Sequence, residues 1–133
     1  MPPEPSPTEI AERGYRAWNE DDLEGMLAIT HPEAEYRPSG VFPGMDPVYR
    51  GEDGIRQWWE TFHEPWKQIK VIPERIAERP GGVDVLIRFE GVGRDGIETK
   101  MSFINKIEVR DGLLYSLVGQ PAADEAIREL GLD

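Results

Sequence analysis

The 133-residue chain contains no cysteine. That absence removes disulfides, thiolate metal sites and cysteine nucleophiles together. Histidine is almost as scarce, with only His31 and His63, too few for a histidine-rich zinc site, so no metal and no cofactor are expected. Long apolar runs are missing as well: no segment approaches the roughly 20 apolar residues of a membrane span. The start, MPPEPSPTEI, has neither the basic stretch nor the apolar run of a signal peptide. The expectation is a cytoplasmic protein with no membrane partner. Positive charge is also in short supply, since 15 Lys and Arg face 26 Asp and Glu, a formal net charge of −11. Such a surface repels phosphate backbones, so nucleic acid is not expected as a partner. No P-loop, G-x-S-x-G or H-E-x-x-H pattern occurs, which leaves nucleotide hydrolysis, serine-esterase and zinc-protease chemistry without support.

What is present fits one domain. Residues 1–7, with four prolines, read as an extended or disordered tail, and residues 8–133 as a single folded unit. A chain of this size hides about two-thirds of its surface on folding, enough for one sizeable core. Thr8 can cap a first helix running to about residue 19, with Ile10, Ala17 and Trp18 on its apolar side. Asp21 or Asp22 can cap a second short helix through Leu23, Met26, Leu27 and Ile29. A short strand follows around Ala34–Arg37, then the loop VFPGMDPVYRG. In GEDGIRQWWETFHEPW, Ile55, Trp59, Phe62 and Trp66 recur at helical spacing until Pro65 ends the helix. Strands are expected at about 69–78, 83–92, 97–110 and 113–120, joined by the turn signals PGG, GRDG and RDG. ADEAIREL closes the chain as a helix, with Gly131 as its stop. Helices followed by a meander of long strands imply an α+β fold in which helices cover one face of a curved antiparallel sheet and enclose a pocket.

The most informative stretch is MSFINKIEVRDG, residues 101–112. Phe103 and Ile107 lie on the apolar side of an alternating strand, and Asn105 sits between them. An unpaired amide there costs about 1–3 kcal/mol. Either it bonds a neighbouring side chain or buried water, or it faces a pocket and serves a ligand.

The stretches GYRAWNEDDLEGMLAITHPEAEYRP, VYRGEDGIRQWWETF, NKIEVRDGLLYS and DEAIRELGL resemble, in order and spacing, the SnoaL-like branch of the nuclear transport factor 2-like superfamily. The resemblance covers nearly the whole chain after residue 8. It implies a cone-shaped, cystatin-like α+β domain around a pocket, often dimeric through the outer sheet face. Members include polyketide cyclases, ketosteroid isomerases, epoxide hydrolases and noncatalytic domains, so the fold does not by itself decide function. Asn105 matches the position that an oxyanion-hole acid takes in ketosteroid isomerases, and an amide there can donate to a ligand oxygen. At the position of the isomerase base stands Arg37, and the first-helix phenol falls near Gly14, leaving Tyr15 rotated about 100° away. The acid of the polyketide cyclases falls in YSLVGQ, which holds no carboxylate, although Gln120 can line the pocket beside Asn105. Arg88 is expected to face away from the pocket, so an Asp–Arg–Asp hydrolase set is not expected.

The expected ligand site comprises Asn105, Tyr36 and Gln120 with an apolar lining from Trp59, Phe62, Phe103 and Ile87; core packing is the alternative for the aromatics. His63 is the imidazole nearest a pocket wall and a candidate acid or base, against a plain surface or capping role at its helix end. Asp46 is a candidate carboxylate at the pocket mouth, against ordinary Asp-Pro turn chemistry. The leading reading is a domain binding a small hydrophobic, polyketide- or steroid-like molecule. A cofactor-free cyclase, isomerase or hydrolase and a dimeric interaction module with a filled pocket are the alternatives. A homodimer is expected through the outer face, where Leu86 and Ile104 sit among Arg88, Glu90, Lys100 and Lys106.

Overall fold

The computed structural model describes residues 4–38, 41–42 and 44–133. Its first helix, α1 (Pro7–Asn19), starts one residue before the expected Thr8. Ser6 is the cap, its hydroxyl accepting from the Glu9 N–H, and Pro7 takes the first turn, where its missing N–H costs nothing. Thr8 turns outward and donates through both its backbone N–H and its hydroxyl to Glu78, at 3.1 and 2.8 Å. Buried Ile10, Ala11, Gly14, Tyr15, Ala17 and Trp18 form one continuous face of α1. Asp22 caps α2 (Leu23–Ala28) by accepting from the Gly25 N–H.

Strand β1 (Thr30–Arg37) is twice the expected length and begins before Pro32. After the loop comes the two-residue β2 (Tyr49–Arg50), then α3 (Gly51–His63), which buries Ile55, Trp58, Trp59 and Phe62 along one side. Trp66 is not on that helix: it opens β3 (Trp66–Arg79), because Pro65 prevents the helix from continuing. Strands β4 (Gly82–Gly93), β5 (Glu98–Arg110) and β6 (Leu113–Pro121) form the expected meander, and α4 (Asp124–Glu129) ends the chain. The β5–β6 turn holds Asp111 and Gly112 at φ +55° and +73°, the pair of positive values that a tight hairpin turn requires.

The sheet order is β2-β1-β6-β5-β4-β3. Its one parallel pair, β1 with β6, brings the early strand beside the last one across the helices. Irregularities in β3 between Pro73 and Arg75 and in β5 between Glu108 and Val109 bend the long strands. The sheet thereby curls over α1 and α3. Val83, Val85, Ile87 and Phe89 of β4 project into the hollow, each no more than 0 % exposed. At one point the backbone itself makes room: the Trp66 ring lies over Gly91, where a Cβ would come within 2.7 Å of it.

The helices are fastened to the sheet at its edge. The Asn19 amide donates to the Val71 carbonyl at 2.9 Å and accepts from the Val71 N–H at 2.7 Å, so one side chain satisfies both outward backbone groups of an edge-strand residue. On the other face of the sheet, Ile104 is fully buried within the single chain, as is Leu132, and both lie outside the main core cluster. The apolar surface expected there for a second copy is therefore smaller than the sequence implied. Replacing Asn19 by Ala should lower unfolding stability by about 1–2 kcal/mol and speed amide exchange at Val71; equal stability and exchange in chemical unfolding and hydrogen-exchange measurements would contradict the clasp.

Candidate functional site

Between the helices and the curled sheet lies an apolar cavity of about 60 Å³. That is space on the order of four water molecules. The helices contribute Ala11, Gly14, Tyr15 and Trp18 from α1, Met26 from α2, and Trp58 and Phe62 from α3. The sheet contributes Val71, Phe103, Asn105, Ile107, Leu114, Leu117 and Gly119. Pro38, Val41 and Phe42 close it from the loop after β1. Phe42 is wedged edge-on between Phe62, Phe89 and Phe103, with ring centroids 4.7, 5.5 and 5.4 Å away. It fills space that a larger occupant would need.

Asn105 lies on the cavity wall, 7 % exposed, and its amide donates to the Tyr15 hydroxyl at 3.1 Å. Tyr15, which the family match leaves rotated about 100° from the position of the first-helix phenol, nevertheless reaches Asn105 through that contact. Gly14 and Tyr15 both belong to the buried face of α1, and the long phenol spans the gap that a position-by-position match left open. Tyr15 is thus the site residue that sequence reasoning missed. The available signal was its spacing, three residues before Trp18 and four after Ala11, on one apolar stripe.

The strand register sorts the other candidates. Asn105 pairs with Gly119 and Ile104 with Gln120, so the cavity receives the glycine and Gln120 belongs to the opposite face. Phe62 and Phe103 are on the wall. Ile87 is buried beside Phe103 in the sheet but does not reach the cavity. Tyr36 does not line it either. Thr30 donates its hydroxyl to the Met26 carbonyl at 2.7 Å, which leaves its oxygen to accept from the Tyr36 hydroxyl at 3.1 Å. Glu35 and Arg37 alternate with Tyr36 and pair with each other at 2.6 Å; Arg50 adds a second contact to Glu35 at 3.2 Å. These partners hold the Glu35 carboxyl below its usual range.

His63 faces a different space, and Trp59 packs beside it. An open cleft of about 810 Å³ runs past the end of α3, lined by Trp18, Asp21, His63, Trp66, Lys67 and Lys100 among others. Trp18 borders both spaces and separates them. His63 donates through Nδ1 to the Trp59 carbonyl at 2.8 Å and lies between the Trp18 and Trp59 rings. Its Nε2 is buried without a hydrogen-bond partner among the described residues, 3.9 Å from the Asp21 carboxylate. Trp59 stacks on His63 and donates its indole N–H to Asp21 at 3.3 Å, on neither wall. An imidazole with one nitrogen engaged and the other buried presents no proton to a substrate in this arrangement. Asp46 is exposed in the loop before β2, its backbone N–H donating to the Tyr49 hydroxyl, and it borders neither space.

Among the described residues the inner wall carries no carboxylate, imidazole or amine. Its polar equipment is the Tyr15–Asn105 pair and the buried indole N–H of Trp58. No group of three or more His, Asp and Glu converges among the described residues as metal ligands would, and no helix there is long and apolar enough to cross a membrane.

The SnoaL-like domain family matches residues 11–117. Among solved structures, TerC co-crystallised with polyporic acid is 21 % identical with a TM-score of 0.77, covering 92 % of this chain and 95 % of its own. The Δ5-3-ketosteroid isomerase from Mycobacterium sp. is 20 % identical with a TM-score of 0.75, covering 90 % and 96 %. The protein Rv0760c from Mycobacterium tuberculosis, in complex with estradiol-17β-hemisuccinate, is 16 % identical with a TM-score of 0.75, covering 90 % and 97 %. No curated protein matches the chain.

Burial pushes both the Tyr15 and the Tyr36 phenol above their usual value near 10. The unfolded chain releases those protons near pH 10 while the fold retains them, so this stability is complete below pH 10 and falls as pH rises beyond it. Tyr15→Phe should flatten that alkaline fall in urea-unfolding series between pH 8 and 11. Parallel curves for the two proteins would show that the Tyr15 phenol ionises as freely in the fold as outside it.

Proposed function

The chain belongs to the SnoaL-like domain family of the nuclear transport factor 2-like superfamily, and we propose that it acts in the cytoplasm as a binding domain for a small, flat, hydrophobic molecule bearing a carbonyl or hydroxyl oxygen. The observation that carries this reading is the Tyr15–Asn105 pair on the wall of an otherwise apolar cavity. The Asn105 amide gives its proton to Tyr15, and a phenol that accepts a hydrogen bond is a better donor through its own O–H. Aromatic walls from Trp18, Trp58 and Phe62 suit a planar apolar body, and one hydroxyl aimed at it fixes orientation. The neighbours that hold polyporic acid and estradiol-17β-hemisuccinate supply examples of such ligands on this fold.

Catalysis is the second reading. The same pair can stabilise an enolate oxygen, and this favours an isomerase- or cyclase-type step. What the reading lacks is a base: His63 borders the outer cleft and Asp46 neither space. Binding is therefore preferred. Pairing of two copies through the outer sheet face stays part of the proposal, with Leu86 as the apolar contribution beside Arg88 and Glu90, now that Ile104 is covered by its own chain.

At about 60 Å³ the cavity must enlarge to admit a tricyclic molecule while Phe42 occupies its wedge. Phe42→Ala should bind 9-fluorenone about tenfold more tightly than the parent, a gain of about 1.4 kcal/mol, read from quenching of tryptophan fluorescence. Equal affinities would mean that Phe42 does not limit the site, and absence of binding to both proteins would remove the ligand reading.

A further inference from the structure

Two adjacent tryptophans on α3 have different fates. Trp59 places its indole N–H on the Asp21 carboxylate at 3.3 Å. Trp58, on the cavity wall and 6 % exposed, has a buried indole N–H with no partner among the described residues. An indole nitrogen is a donor only, so it can neither accept nor exchange a proton with a substrate. Buried donors in folded proteins nearly always have acceptors. Nor is the ring free to swing toward one: Trp18 stacks on its face at 4.6 Å, and Tyr36 meets it edge-on at 4.9 Å.

We propose that the Trp58 indole N–H is a specificity-determining donor that receives an oxygen acceptor of the cavity's occupant, and that the occupant is a neutral carbonyl compound of the ketone, lactone or quinone class. This deepens the binding function proposed above and rests on it. The chemistry of the wall selects that class. Tyr15 accepts from Asn105, and among the described residues its own proton has no acceptor, so the wall offers a second free donor in the phenol. With donors at Tyr15 and Trp58 and no carboxylate among the described wall residues, an amine or cation would find no counter-charge, and a bare hydrocarbon would leave the Trp58 donor unsatisfied. A carboxylate ligand would enter an apolar space without a cation to meet it. A neutral molecule with acceptor oxygens satisfies the donors and keeps the rest of the wall dry.

The test compares 1-indanone with indane, which share a ring frame and differ in the carbonyl. Both are titrated into the parent protein and into Phe42→Ala, with the Trp58 indole N–H resonance followed by NMR and assigned through its contacts to Trp18 and Tyr36. The expected result is a downfield shift of that resonance with 1-indanone and none with indane. Trp58→Phe should weaken 1-indanone about five- to tenfold and change indane less than twofold. Indane and 1-indanone binding alike, with equal responses at Trp58, would overturn the assignment and leave ordered water as the acceptor. The cavity reading would survive that outcome. If neither probe binds either protein, the cavity reading fails and the role of Trp58 with it. Should Trp58→Phe fail to fold, the resonance in the parent protein decides the matter alone.

Discussion

The hydrogen bond from Asn105 to Tyr15 is the contact on which the interior depends. It joins the first helix to the middle of the sheet across 90 residues of sequence, in a region where neither group could be left unpaired without cost. Packing alone would allow α1 to slide along the apolar face of β5, since Phe103 and Ile107 accept many neighbours equally well. A directed bond does not allow this. It sets the height of Tyr15 over the sheet and therefore the position of Trp18, one turn further along α1. Trp18 in turn stacks on Trp58 and borders the outer cleft, so the wall between the two spaces follows from one polar contact.

Curvature supplies the hollow and side chains decide how much of it remains. Bulged strands carry the sheet around the helices, and Asn19 pins the end of α1 to the edge strand at Val71. Into that concavity project four large rings, Trp18, Trp58, Phe62 and Phe42, packed largely edge to face. The cavity is consequently small and mostly apolar, and its chemistry is legible because so few polar groups remain in it. In a cavity of this kind, donors set the orientation of an occupant and burial of apolar area its affinity. The geometry at His63 completes the contrast: the imidazole is sandwiched by indoles with its nitrogens turned inward, an arrangement suited to joining α3 to the α1–α2 turn.

Much of this was legible in the sequence where the signals are local. The alternation of Val83, Val85, Ile87 and Phe89, the turn residues Asp111 and Gly112, and the helical spacing of Ile55, Trp59 and Phe62 each specify an element through its nearest neighbours. Asn105 stood out because its polarity conflicts with its parity. Contacts fixed at long range were not legible. The parallel pairing of β1 with β6 lengthens a strand that HPEAEYR does not announce, and Pro65 moves Trp66 from helix to sheet although its spacing fits the helix. Gln120 and Gly119 exchange roles because register, set by the β5–β6 turn, is invisible in composition. Tyr36 looked like a ligand group since a buried phenol needs a partner; the partner is Thr30, six residues away and in another hydrogen-bonded pair.

Membership of the SnoaL-like family fixes the architecture, and solved structures about one-fifth identical share that fold. In this chain the described cavity wall carries the Tyr15–Asn105 pair and no carboxylate, imidazole or amine. The central claim is that Tyr15, supported by Asn105, holds the oxygen of a bound carbonyl compound. The carbonyl stretching frequency of 1-indanone bound to the protein, recorded by infrared spectroscopy beside the same ketone in alkane solvent, measures that contact directly. The account predicts a lower frequency in the protein, part of which is lost in Tyr15→Phe while the remainder, held by Trp58, persists. An alkane-like frequency in the parent protein would contradict it.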